Sequence, residues 1–383
     1  MPWKEKTVKS ERETFVKEAH QREISFSALC RKHEITRKTG YKWLRRFQAG
    51  EELTDRSRAP THQRTQTSAA TQELILSARD EHPAWGPRKL ERYLQNKGYT
   101  ELPCKSTIGN ILKRNERIEP EISQKHKPIN RFARECPNDL WQMDYKGDFT
   151  MLNGQRCYPL TILDDHSRFS LCLKAEDSLS YERFYPALVQ VFEMYGLPHE
   201  LLCDNGKLWG DSKGGITMFD VWMMRLNIRP IHGRPMHPQT QGKEERFHRT
   251  LKEELLRHRT MLNLCDAQQA FDDWQYEYNY ERPHSALGLD VPAKHYKVSS
   301  RPFLQQPPEP DYPDGARLRR VNYKGYVSIC RHRYYLSEAF AGTYLQLTDS
   351  GENSVDLHYG SFRVASINLS ERLITSKHIY WAT

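Results

Sequence analysis

From residue 139 onward the apolar pattern of this chain changes period, and that change constrains the fold more than any other feature. The runs DLWQMDYKGDFTML, RCYPLTILDD and SRFSLCLKAE are strand-like, and the short turns NGQ and DHS join them. Turns this short allow only antiparallel neighbours. The spacing then lengthens to that of a helix in YERFYPALVQVFEMYG, shortens to a buried strand in HELLCDNG, and lengthens again over residues 239–258. Three antiparallel strands followed by alternating helix and strand predict a mixed-sheet α/β layer fold.

Ahead of this core the pattern is helical. In ISFSALCRKHEITRKTGYKWLRRF, residues 24–47, the apolar Leu29, Ile35, Trp43, Leu44 and Phe47 suit a short helix, a tight turn and a second helix capped by Thr36. This is a helix-turn-helix pattern. Arg37, Lys38, Thr39 and Lys42, on the exposed side of its second helix, have the chemistry to touch phosphates and base edges. An ordinary helical hairpin would show the same spacing, and His33-Glu34 stands where a glycine would relieve a left-handed residue. After a polar stretch, TQELILSARDEHP, WGPRKLERYLQNKGY with Pro87 in its first turn, and KSTIGNILKRN capped by Ser106 predict three more short helices. They resemble a second, winged-helix-like DNA-reading module with Lys105, Asn110, Lys113 and Arg114 as its contacts.

Charge follows the same division. Residues 1–130 hold 27 Lys and Arg against 17 Asp and Glu, while the remainder holds 31 against 32. A basic excess confined to the helical segment points to a polyanion met there, although a solvated, salt-bridged helical face would have the same composition. Behind the core, a Pro-rich linker over 297–314 leads into an alternating, Gly/Asn-punctuated segment that predicts a small β-barrel. The expected organisation is therefore a helix-turn-helix domain at 1–50, a linker at 51–68, a second helix-turn-helix domain at 69–118, a catalytic-type α/β core at 136–296 and a β-barrel at 315–370. A mean hydropathy of −0.83, with no run of about 18 apolar residues and no apolar stretch near the N-terminus, leads us to expect a cytoplasmic chain without a membrane partner. The eight cysteines form no C-x-x-C pair and read as reduced thiols; with His232, His237 and His248 they show no zinc spacing.

Three acids stand at the ends of the core elements. Asp144 lies inside the first strand between apolar neighbours, Asp204 closes LLCDNG, and Glu244 and Glu245 sit side by side in the first turns of the long helix. Carboxylates at strand ends are where ligands gather in α/β sheets. A trio of them repels itself unless divalent cations neutralise it, and an all-oxygen donor set suits Mg²⁺, with Mn²⁺ able to substitute. Two such ions could activate a water or a DNA 3′-hydroxyl at a phosphodiester. Asp164 and Asp165 fall at a hairpin turn, where Asp commonly caps its own backbone.

WQMD, CDNG and HPQTQGKEERFHRTLK, followed by YNYERPHSALGLDVP, resemble the core of DDE insertion-sequence transposases, whose core is similar to retroviral integrase. MPWKE, LCRKHEITRKTGYKWLRRF, DRSRAP and HPAWGPRKL resemble, more narrowly, the insertion sequence four-eighty-one family of bacterial transposases. The resemblance implies an RNase H-like core behind two helix-turn-helix units and a nucleoid-associated location. In that family's pattern the third acid follows Gly-Lys-apolar and precedes Arg, so Glu245 matches it and Glu244 stands where an apolar residue is usual. Helical geometry agrees: Phe247, Leu251 and Leu255 mark the buried stripe, with Glu244 near its centre and Glu245 on its flank. Glu244 must then find a cation, for which Lys243 is a candidate, or lie at a frayed helix start. The 40 residues between Asp204 and Glu245 are more than is usual in the group, and the Gly-rich GKLWGDSKGGITMF absorbs the excess.

The reading is a DNA transposase that binds the terminal inverted repeats of an insertion sequence, cuts the 3′ end and joins it to target DNA. Asp144, Asp204 and Glu245 would be its catalytic acids and metal ligands. Gln241, Arg249 and Lys252 would hold the element's terminal nucleotides, and a homo-oligomer, dimer or tetramer, would bridge two ends. The alternative is a catalytically silent DNA-binding regulator derived from a transposase. A nuclease that cuts without joining fits the tandem end-binding modules less well.

Overall fold

Helix caps and buried stripes define each element of the chain's computed structural model, which describes residues 7–55, 67–118, 134–204, 215–233, 242–375 and 379–382. Two units divide between Thr67 and Ser68. In the first, α1 (Val8–Gln21), α2 (Phe26–Lys32) and α3 (Arg37–Gln48) bury Phe15, Val16, Leu29 and Trp43 against one another. Thr36 caps α3 by accepting from the Thr39 amide, as expected. The turn closes without glycine: Glu34 itself takes the left-handed conformation, φ +54, at roughly 1–2 kcal/mol. Helix α1 went unread because only Phe15 and Val16 of its residues are buried. Two expectations are corrected. Phe47 is 40% exposed rather than packed, and the polar stretch after α3 begins folded, with Leu53 buried and Asp55 paired to Arg12 at 3.0 Å.

The second unit opens with α4 (Ala69–Glu81), α5 (Pro87–Asn96) and α6 (Lys105–Arg114), packed on Ile75, Trp85, Leu90, Ile108 and Ile111. Pro87 is the first residue of α5. The residue capping α6 is Cys104, not Ser106, which lies inside the first turn; Pro103, just ahead, holds the chain extended before the helix.

The core sheet has the spatial order β4 (Ser170–Glu176), β3 (Arg156–Asp164), β1 (Leu140–Tyr145), β5 (Glu200–Cys203), β6 (Arg229–His232). β1 is antiparallel to β3 and parallel to β5. The two-residue β2 (Phe149–Thr150) continues β1 along the same edge of β3, but the register slips by one between Tyr145–Leu160 and Phe149–Cys157, so Lys146–Asp148 bulge out. Period-2 alternation fixes what each face carries. Trp141 and Met143 point to α7 (Tyr181–Tyr195) and α8 (Met218–Arg225). Leu163 and Leu173 point to α9 (Gly242–Leu251), which runs on as a π-turn over Lys252–Leu256, and to α10 (Leu264–Tyr276). Each fully buried Phe or Leu here stabilises by about 1.5–3 kcal/mol. The expected helix over 239–258 is thus described from Gly242 and loses α-helical spacing at Lys252.

The C-terminal segment is a sheet and not the barrel expected. β7 (Leu318–Arg320), β10 (Tyr344–Gly351), β11 (Ser354–Tyr359), β12 (Phe362–Asn368) and β13 (Leu373–Thr375) pair in the order β13-β12-β11-β10-β7, with β14 (Tyr380–Trp381) on β12. β8 (Tyr326–Ile329) and β9 (His332–Tyr335) bond only to each other, so among the described residues no ladder joins β7 to β13. Alternating polarity reports one buried face, which an open sheet and a closed barrel share. Ile216, Val221 and Met224 extend this sheet's apolar core to the α8 region.

Candidate active site

Parallel pairing of β1 with β5 sets the first two acids side by side. The register Leu140–Glu200, Gln142–Leu202, carried two residues further, places Asp144 opposite Asp204 on the same face, on strands about 4.8 Å apart. Asp144 Oδ1 accepts the Tyr145 amide at 2.8 Å. Burial, then the charge of Asp204 and, more weakly, that of Glu245, push the Asp144 carboxyl up to about 7 against that hydrogen bond. Asp204 and Glu245 are therefore each within electrostatic reach of Asp144. They are not clenched: among the described residues no group of three or more His, Cys, Asp or Glu is gathered at metal-ligating distance.

A histidine backs each strand acid. Behind Asp204, His232 Nδ1 lies 3.3 Å from the Asp204 main-chain oxygen and 3.5 Å from Cys203 Sγ, while Nε2 meets Asp220 Oδ1 at 2.6 Å. Burial alone would lower the His232 pKa; its bonds to Asp220 and Cys203 outweigh that and raise it. Behind Asp144, His248 Nδ1 lies 3.9 Å from Asp144 Oδ2. Burial and the neighbouring Lys146 push this imidazole down to about 3, so it is neutral at pH 7.

The two glutamates part as the helical stripe requires. Glu244 is 0% exposed and lies in line with Phe247 and Leu251, whereas Glu245 is exposed on the flank. Burial and the charge of Asp144 raise the Glu244 pKa well above the ordinary carboxyl value. Lys243 does not compensate it, turning instead to Asp165 at the β3–β4 turn. Glu244 meets the Thr161 hydroxyl at 3.1 Å. Asp164 and Asp165 are both buried, but only Asp164 caps the turn, accepting from the Ser167 amide as well as from that of Asn138; Asp165, against expectation, reaches away from the turn and accepts from Gln142 of β1 and the Arg134 amide.

Beyond the acids, Arg249 and Lys252 are exposed on the Glu245 flank. Lys146, in the bulge after Asp144, comes near enough to Lys252 that burial and this like charge both lower its pKa. Lys146 and Lys252 thus set two cations near one another beside α9, a charge pattern that suits a phosphate oxygen. Gln241 and His237 lie outside the described residues. In the modules, Arg37, Lys38 and Lys42 are exposed and Thr39 half-exposed, its amide bonded to Thr36; Lys105, Asn110, Lys113 and Arg114 are exposed. The sequence does not single out Thr161 or Lys146, and it raises His232 and His248 only as zinc ligands. The contacts that place Thr161, His232 and His248 beside the strand acids join residues 29 to 104 positions apart, Cys203–His232, Thr161–His248 and Asp144–His248, whereas Lys146 lies two residues past Asp144.

Comparison with known proteins finds helix-turn-helix families ahead of an integrase core. Residues 134–238 and 226–292 each match an integrase core domain family, residues 11–61 a helix-turn-helix domain and residues 39–112 a homeodomain-like domain. The chain is 27% identical over 235 residues to an uncharacterized 39.2 kDa protein of insertion element IS476 from Xanthomonas euvesicatoria, covering 60% of this chain and 64% of that one. It is 25% identical over 175 residues to an uncharacterized 31.7 kDa protein of insertion element IS407 from Burkholderia multivorans, covering 45% and 61%. It is 24% identical over 265 residues to the transposase for insertion sequence element IS21 from Pseudomonas aeruginosa, covering 66% of each. The chain thus spans less than two thirds of the length of the first two of these relatives.

Proposed function

We propose that this chain, a relative of insertion-element proteins that carries an integrase core behind helix-turn-helix domains, is a metal-dependent DNA transposase. The observation that carries the proposal is that the charges of Asp204 and, more weakly, Glu245 act on the Asp144 carboxyl, as expected when the β1–β5 register is carried two residues past its last pair. A carboxyl held near 7 by burial, and further by the charges of its acidic neighbours, is a site a divalent cation would relieve, and the oxygen-only donors suit Mg²⁺, with Mn²⁺ as a substitute. Bound there, such ions would activate the attacking oxygen and stabilise the leaving one.

The protein's own groups have separate tasks. Asp144, Asp204 and Glu245 would hold the ions. Lys146, Arg249 and Lys252, with Gln241, would hold the backbone of the element's end against them. Arg37, Lys38, Thr39 and Lys42 of the first module, and Lys105, Asn110, Lys113 and Arg114 of the second, would bind the terminal inverted repeats. In the first step water attacks the phosphodiester and a 3′-hydroxyl leaves; in the second that hydroxyl attacks a target phosphodiester and one P–O bond replaces another. One site serves both because both are in-line displacements at phosphorus. A dimer or tetramer would bridge two ends, the domains would follow the boundaries given above, and the element would be of the insertion sequence four-eighty-one type.

Purified protein, a labelled DNA carrying the element's end, a supercoiled target and Mg²⁺ or Mn²⁺ test this. Joined product from wild type but not from Glu245→Gln is expected. End binding without cleavage under either metal would sink the proposal. It would favour the silent regulator, for which the acid at Glu244, buried where an apolar residue is usual, is the supporting observation.

A further inference from the structure

The first acid is held from behind by a chain of groups that begins at the second glutamate. Thr161 stands directly opposite Asp144 in the β1–β3 pair. Its hydroxyl lies 2.9 Å from the Asp144 main-chain oxygen, 2.8 Å from His248 Nε2 and 3.1 Å from Glu244 Oε2. The other face of the His248 ring presents Nδ1 to Asp144 Oδ2 at 3.9 Å. Glu244 and His248 are one helical turn apart, so one face of α9 carries both. The chain therefore bonds Asp144 at its main-chain oxygen, and its neutral imidazole stands 3.9 Å from the carboxylate oxygen that the Tyr145 amide leaves open, beyond hydrogen-bond length but within van der Waals reach.

Packing alone does not explain Glu244. It lies on a stripe with Phe247 and Leu251, where leucine would bury more apolar surface and leave no polar atom behind. Instead its side chain is 0% exposed, and Glu244 Oε1 makes no hydrogen bond among the described residues. A buried carboxyl with half its bonding unmet costs free energy, so an interaction elsewhere must hold it there. Thr161 and, at 3.6 Å, His248 are the groups it meets.

We propose that Glu244, Thr161 and His248 form a positioning chain that fixes the direction of the Asp144 carboxylate toward Asp204, without any of the three binding a metal. This rests on the reading of Asp144 as a metal ligand. Outer partners of this kind orient ligands, and their loss commonly weakens metal binding by about 10–100-fold.

The test measures Mn²⁺ binding to the full-length protein by calorimetry, without DNA, alongside end joining. His248→Ala and Thr161→Val should weaken Mn²⁺ binding about tenfold or more and lower kcat for joining, with KM for the DNA end unchanged. Thr161→Ser keeps the hydroxyl and Glu244→Gln keeps a polar group against it; both should stay close to wild type. Should Thr161→Val fail to fold, His248→Ala and the two conservative variants still decide. Unchanged Mn²⁺ binding by His248→Ala overturns the chain. So does a Glu244→Gln variant that loses Mn²⁺ as completely as Glu245→Gln, which would make Glu244 a ligand. Wild type that binds Mn²⁺ yet joins no ends refutes the transposase and leaves the chain to be judged on affinity; wild type that binds no Mn²⁺ overturns both.

Discussion

Glu244 and Glu245 are neighbours in the chain and face opposite surroundings: the first is 0% exposed beneath the sheet, the second lies exposed on the helix flank. Substitutions should report that difference in stability before any activity is measured. Glu245→Ala should change unfolding free energy by no more than about 0.5 kcal/mol, whereas Glu244→Lys, which forces a longer, charged side chain into a fully buried position, should cost about 3 kcal/mol or more. Urea titration of both variants checks this, and equal midpoints would contradict the assignment of faces.

The raised Asp144 pKa makes the metal-free protein less stable as pH rises. Between the ordinary carboxyl value of 3.8 and about 7, the folded state keeps a proton that the unfolded state has released, so this group contributes a loss of up to about 1.4 kcal/mol per pH unit. Above about 7 both states are ionised and the slope ends. Asp144→Asn should flatten this part of the pH–stability curve and raise the Tm of metal-free protein at pH 8. Added Mg²⁺ should raise the wild-type Tm and do less for the variant.

Glu254 should matter out of proportion to its distance from the site. Arg282 grips it with Nε at 2.9 Å and Nη2 at 2.8 Å, and Lys89 of α5 approaches at 3.8 Å. The Glu254 and Arg282 side chains are only 7% and 9% exposed. Glu254→Ala strands two buried cations, and a cost of about 3–5 kcal/mol follows. Burial, with Arg282 close by, already brings the Lys89 pKa down to about 7, so the variant should lose less stability at pH 9 than at pH 6. A pH-independent loss would show that Lys89 does not bear the charge.

Gly40 should be irreplaceable in the first unit. A Cβ there would lie 2.8 Å from Cys30 Sγ and 3.0 Å from the Phe15 ring, so Gly40→Val should unfold α1–α3. Binding to the element's end should fall sharply while Mn²⁺ affinity stays at the wild-type value. An intact near-wild-type end affinity would mean that this unit does not carry recognition.

Local pattern was enough for much of this molecule. Alternation located β1, β3 and β4, and the cap at Thr36 and Pro87 located the starts of α3 and α5, because these signals act within a few residues. The apolar stripe through Phe247 and Leu251 already separated Glu244 from Glu245. α1 was invisible because it buries only two side chains, and α8 because its apolar residues, Met218, Phe219, Val221, Trp222, Met223 and Met224, crowd every face and show no stripe. The C-terminal barrel failed for a different reason, since alternation does not record whether the end strands meet.

Residue types and their order thus determined which acids this chain offers, which face of each element is buried and that helical modules precede the core. What the tertiary structure decided is how the acids are held. Parallel pairing of β1 with β5 aligns Asp144 with Asp204 across 60 positions of chain, antiparallel pairing with β3 sets Thr161 opposite Asp144, and the packing of α9 on the sheet brings His248 to them. Such contacts depend on strand register and helix placement, which emerge only when distant segments bury their apolar faces together, and no local period encodes them.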